Sequence, residues 1–227
     1  MKFLIALQFC FWALLPALAG AHSVDALNEK LMASEKFFQP FNQPAPEFNL
    51  FDSNGAPVTL KDFQGKVVVA YFVYMSCPDI CPLQTDFIAG LQETINDTPM
   101  RDKVAFVTIT TDPVTDTPAR MREFATERGL DAQNWTFLTS GPQQPEMARE
   151  LVEQFGHSYQ VIEDGYQIHG TVTHVIDKRG QWRGNFHGLN FQQSNIEMFI
   201  NALVDETHTE DEDNTPSFLD RILSIFN

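Results

Sequence analysis

Cysteine is scarce in this chain, bases are outnumbered, and long apolar runs are nearly absent. Three of the 227 residues are cysteine, Cys10, Cys77 and Cys81, which excludes a scaffold stapled by several disulfides. Lys and Arg number 15 against 30 Asp and Glu, a formal net charge of −15. A chain this acidic repels phosphate backbones, so nucleic acid is not an expected partner, and a cationic surface or a metal ion suits it better. The apolar run Phe3 to Leu18 is short of the ~20 apolar residues that cross a bilayer, and no segment repeats.

What is present is enough for one domain with tails. A hydrophobic content of 43% and 20 phenylalanines supply a core. Lys2, the uncharged run Phe3–Leu18 and the small residues of ALAGAH read as a secretion signal over 1–21, with an uncleaved anchor as the alternative. Cys10 lies inside that run and drops out of the chemistry. Cys77 and Cys81 then remain in an exported, periplasmic chain, where compartments favour oxidised thiols.

Residues 22–45 read as a polar lead-in, weakly helical around Ala26–Lys36. The alternation of PEFNLFDSNGAPVTL around Ser53-Asn54-Gly55 predicts a β-hairpin. VVVAYFVY (Val67–Tyr74) is a run of strand formers buried on both faces. From Pro82, Leu83, Phe87, Ile88, Leu91 and Ile95 share one helical face. A second buried strand, KVAFVTIT, precedes a helix capped by Thr117 with Pro118 as its first residue. WTFLT is a short strand, and the following helix stops at Gly156. Strands over Thr171–Ile176 and Gln181–Phe186 flank a turn at Gly180, and a helix carries Ile196, Phe199, Ile200 and Leu203. This order predicts an α/β fold whose central, mostly parallel sheet is covered by helices, with antiparallel strands added by the closing pair. The domain is expected over 46–204. An acidic linker (205–214) and an amphipathic helix (215–227) follow, the latter docked on its own domain, a partner or a membrane surface.

The pair in YMSCPDICPLQ follows the first long strand and opens a helix, the thioredoxin-like arrangement. Sulfurs at i and i+4 can meet, and a helix N-terminus favours the thiolate, the form that binds metal and attacks disulfides. Three uses stay open: a structural disulfide, a redox couple exchanging with a thiol reductant, or a metal clamp. The first is weakened because so short a loop closes little entropy. A soft-metal clamp needs an imidazole beside the two thiolates. Among the histidines, His174 reads as a sheet residue, and His22, His157 and His208 as surface residues. Spacing slightly favours His169 over His187.

Three segments then resemble one known family. YFVYMSCPDICP is similar to the strand and CPxxCP of the SCO/SenC family, TITTDPVTDTPARMREFA to its aspartate-proline segment, and HGTVTHVIDKRG to the stretch holding its ligand histidine. The resemblance spans about Pro46 to Leu203 and implies a thioredoxin-like fold with an N-terminal β-hairpin and a hairpin insertion. It implies copper, as copper(I), copper(II) or both, held by Cys77, Cys81 and His169. Asp112 or Asp116 is implied as a supporting oxygen, against a capping or loop-closing role. It further implies delivery of copper to, or care of the thiols of, the binuclear copper site of a respiratory cytochrome c oxidase; the partner would be that subunit or another periplasmic copper protein. Where the family usually has an aspartate before its histidine and a hydroxyl residue after, this chain has Ile168 and Gly170. The rival reading is a thiol–disulfide oxidoreductase cycling Cys77 and Cys81 without metal, and a redox or copper sensor is the third.

Overall fold

The computed structural model describes residues 24–161, 167–168 and 170–206. The signal segment, the terminal helix, residues 207–214 of the linker, and His22, His169 and His208 lie outside the described residues. In chain order the elements are α1 (Val24–Ser34), β1 (Phe38–Pro44), β2 (Asn49–Asp52), β3 (Pro57–Thr59), β4 (Val67–Val73), α2 (Ile80–Asn96), β5 (Val104–Thr110) and α3 (Pro118–Glu127). There follow β6 (Trp135–Thr139), α4 (Pro145–Gln154), β7 (Gln160–Val161), β8 (Gln167–Ile168), β9 (Val172–Ile176), β10 (Gln181–His187) and α5 (Gln193–Asp205).

Eight strands form one sheet in the order β1-β10-β9-β4-β5-β6-β2-β3, and β7 pairs with β8 apart from it. Strand β5 lies parallel to β4 and β6, whereas the other pairings of the sheet are antiparallel. The sheet is therefore mixed rather than mostly parallel. Helical crossovers force parallel neighbours only at β4, β5 and β6, and hairpins and late strands flank that unit. At the N-terminus the helical character expected around Ala26–Lys36 is α1, but the segment is not merely a polar lead-in: Leu27 and Leu31 are buried, and it also holds β1, an edge strand paired with β10. Its alternation, FQPFNQP, is masked by two prolines, which an edge position tolerates.

The chain's side-chain alternation builds two apolar layers. From β4, Val67, Val69, Tyr71 and Val73 enter a cluster with Ile88 and Leu91 of α2 and Phe199 of α5. Val68, Ala70 and Phe72 enter the opposite cluster with Leu151, Val152 and Phe155 at α4 and Trp182 of β10. Truncating a residue such as Leu91 to alanine would cost about 2–5 kcal/mol. Helix α2 begins at Ile80, so Cys77 precedes it and Cys81 is its second residue. Leu83, expected on the packed face, is 53% exposed; Gln84 and Thr85 are buried instead.

Candidate metal centre

Strand β4 ends at the rim of the sheet, and the turn after it leads through Cys77 into α2. Both cysteines are buried free thiols. The Cys77 sulfur occupies the place of a helix cap: the backbone N–H of Cys81 donates to it at 3.4 Å, and that of Asp79 also donates. Pro82, third in the helix, gives up an N–H that would have had no intrahelical partner.

The two sulfurs are electrostatically unequal. Burial alone would push the Cys77 thiol up, but the Cys81 thiol, the N–H groups of Asp79 and Cys81, and the Tyr74 hydroxyl all donate to its sulfur. The net shift is downward. Burial pushes Cys81 strongly up, and the neighbouring Cys77 sulfur adds to that, as does Asp116 by its charge. A thiolate at Cys77 beside a protonated Cys81 is the arrangement these contacts favour.

Polar side chains link the pair to the stretch around residue 169. The backbone N–H of Gln167 donates to the Tyr74 hydroxyl at 3.3 Å, and Thr111 donates to the Gln167 side-chain oxygen at 2.5 Å. On the other side Gln84, one turn beyond Cys81 in α2, donates its Nε2 to the carbonyl of Val172 at 3.2 Å. Residues 167 and 172 are thus tied to the elements that bear Cys77 and Cys81. His169 itself lies outside the described residues; among the described residues no three histidines, cysteines or carboxylates converge on one point.

Asp116 is buried beneath this rim. Its Oδ2 accepts from Met75 N–H at 3.1 Å and from Thr110 Oγ1 at 2.5 Å. Burial holds its carboxyl above the usual range. Asp112 closes its own loop, accepting from Thr115 N–H and Asp116 N–H. Among the other histidines, His187 meets Gln39 at the β10–β1 edge, and His174 is fully buried in β9. His157, expected at the surface, is half-buried, with its Nε2 2.9 Å from that of His174. Sequence reasoning passed over Tyr74, Gln84, Thr111 and Gln167. Gln84 carried a signal, since a polar residue in phase with Ile88 and Leu91 must find a buried partner.

Known proteins of one family share this chain's sequence pattern and fold. A curated relative, the SCO1 protein homolog of Bacillus subtilis (strain 168), is 26% identical over 151 residues, covering 66% of this chain and 77% of its own. The solved structure of a SCO1/SenC family lipoprotein from Bacillus anthracis str. Ames is 28% identical with a TM-score of 0.68, covering 74% of this chain and 98% of that one. BsSco, a member of the Sco family of cytochrome c oxidase assembly proteins solved in work on its disulfide switch, is 25% identical with a TM-score of 0.64 and covers 74% and 98%. The family model described as SCO1/SenC matches residues 39–205, its start falling on β1, and the chain belongs to the SCO1/SenC family.

Proposed function

We propose that this protein binds copper through Cys77, Cys81 and His169 and serves the copper site of a respiratory cytochrome c oxidase from an exported position. The observation that carries the reading is the unequal, unbridged cysteine pair, tied through Tyr74–Gln167 and Gln84–Val172 to the residues on either side of position 169. Two soft thiolates and one imidazole make a trigonal donor set suited to copper(I), and a set of this kind also holds copper(II). Copper-bound members of the family share this fold. Copper is cargo here: Cys77 is the more readily ionised sulfur, and Cys81, held protonated by burial, must release its proton as the ion enters. The N-terminal signal reading supports export. Among the described residues no helix is long and apolar enough to cross a membrane.

The test is titration of reduced protein with copper(I) and copper(II), comparing wild type, His169→Ala and Cys81→Ser. One ion per chain is expected, with affinity falling strongly in both variants. Equal affinities in wild type and His169→Ala would refute the three-ligand site.

The asymmetry of the pair favours one other reading, thiol–disulfide exchange. The Cys77 thiolate would attack a partner disulfide, displacing one sulfur as thiolate. Cys81, losing its proton, would then displace the second, leaving a Cys77–Cys81 disulfide and a reduced partner. This function would survive His169→Ala.

A further inference from the structure

On the face of the sheet opposite the cysteines, four side chains form a hydrogen-bonded file whose proton positions follow from its end. Indole nitrogen can only donate, and Trp182 Nε1 lies 2.8 Å from Asn185 Oδ1, which fixes that atom as the oxygen. The same oxygen lies 2.7 Å from His174 Nδ1, so Nδ1 carries the hydrogen. His174 is fully buried, with the rings of Phe72, Phe155 and Trp182 around it. Burial, with His157 and then His187 adding by charge, keeps it neutral. Its Nε2 is therefore a lone pair, and His157 Nε2, 2.9 Å away, must be the donor.

His157 has little freedom to leave this file. Helix α4 ends in a left-handed Gly156 (φ 80°), with Gly156 N–H donating to Glu153 and His157 N–H to Val152. This paired closure fixes where the His157 side chain starts. Its other ring edge is pressed against residue 170: a Cβ placed on Gly170 would lie 2.4 Å from His157 Nδ1 and 3.1 Å from Cε1. The φ of Gly170 is outside the left-handed region, so the backbone would accept alanine, and it is the imidazole, held in its file, that would have to shift.

We propose that the file Trp182–Asn185–His174–His157 is a positioning device that holds the backbone at Gly170 and, through it, aims the adjacent His169. The consequence at the metal rests on the copper reading above; the mechanical claim does not. Tyr74 and Gln84 tie this segment from the cysteine side, and His157 braces it from the other. None of the four side chains is among the proposed copper ligands.

The test uses Gly170→Ala, His157→Ala and the double variant in the purified protein, first without metal. Amide hydrogen exchange at residues 170–172 should quicken about tenfold in each single variant, while β5 stays protected. In the His157→Ala background, Gly170→Ala should add nothing, because the clash has lost its partner. An undiminished Gly170→Ala effect without His157, or no effect in either background, would overturn the proposal. Imidazole nitrogen shifts should show the Nδ1–H form at His174 and the Nε2–H form at His157, and the reverse would also overturn it. His157→Gln, which keeps a donor toward His174, should restore most of the protection. With copper(I), His157→Ala should weaken binding about tenfold, as loss of a ligand's support does, but only where His169 is intact. If His169→Ala binds copper like wild type, the copper reading fails, and the exchange and nitrogen shifts still decide the file.

Discussion

The two faces of the sheet carry two close pairs of similar chemistry and opposite character. On one face Cys77 and Cys81 stand four positions apart in sequence, beside a helix N-terminus, with one sulfur favoured as thiolate. On the other, His157 and His174 are 17 positions apart, ringed by aromatic side chains, with His174 held neutral by burial. The first pair is surrounded by donors and is built to carry negative charge or receive a cation. In the second, both ring nitrogens of His174 are satisfied within the file, and a charge there would cost desolvation without return. Reactive and supporting pairs are told apart by what donates to them rather than by the residue types alone.

Variants that strip each pair of its support should separate the two. The largest effect is expected from Cys81→Ser, which removes one of the proposed soft ligands. Copper(I) affinity should fall by more than the roughly 10–100-fold that loss of a supporting contact costs, with urea midpoints of the metal-free protein little changed. Comparable copper binding by this variant would mean that the sulfur pair is not the reactive one. On the other face, Asn185→Leu leaves the buried donors of Trp182 and His174 unpartnered. About 2–4 kcal/mol should be lost from urea unfolding; an unchanged midpoint would show that the file contributes nothing to the fold.

The pH responses should also oppose one another. Cys81 is held protonated by burial, so copper(I) binding displaces its proton and should tighten by about tenfold per pH unit through the neutral range, measured by competition with a chelator whose own protonation is known. His174 has its folded pKa depressed. It therefore contributes stability that is complete above the unfolded value near 6.5 and is lost as pH falls toward the folded one. Unfolding free energy should decline below about pH 6.5 by up to roughly 1.4 kcal/mol per unit, and His174→Phe should flatten that decline. The smallest expected change is in Tyr74→Phe, which removes one of several donors to Cys77. Its thiol should alkylate more slowly near neutral pH, where less of it is thiolate; an unchanged or faster rate would remove Tyr74 from the site.

The same contrast explains what could be read from the chain. The strands β4, β5 and β6, the Thr117 cap and the Gly156 stop were legible because each rests on local pattern, buried runs or turn chemistry. So were the cysteines, whose partnership is a spacing. The strand β1 was not, because its reason to exist is β10, reached across more than a hundred residues. How far antiparallel pairing extends was not legible for a related reason: strand order is set by which edges remain after the parallel unit has formed. His157 reads in sequence as a residue past a helix end, and nothing nearby announces His174. The trace it leaves is Gly170, whose missing side chain makes room for the imidazole.

The proposed site is one copper ion held by two sulfurs and one imidazole, and X-ray absorption on the reduced protein loaded with one equivalent of copper(I) reads those ligands. Two sulfur scatterers and one imidazole nitrogen are expected in wild type, with the nitrogen lost in His169→Ala. A sulfur-only site unchanged by that substitution, or copper that washes off the wild-type protein, would contradict it.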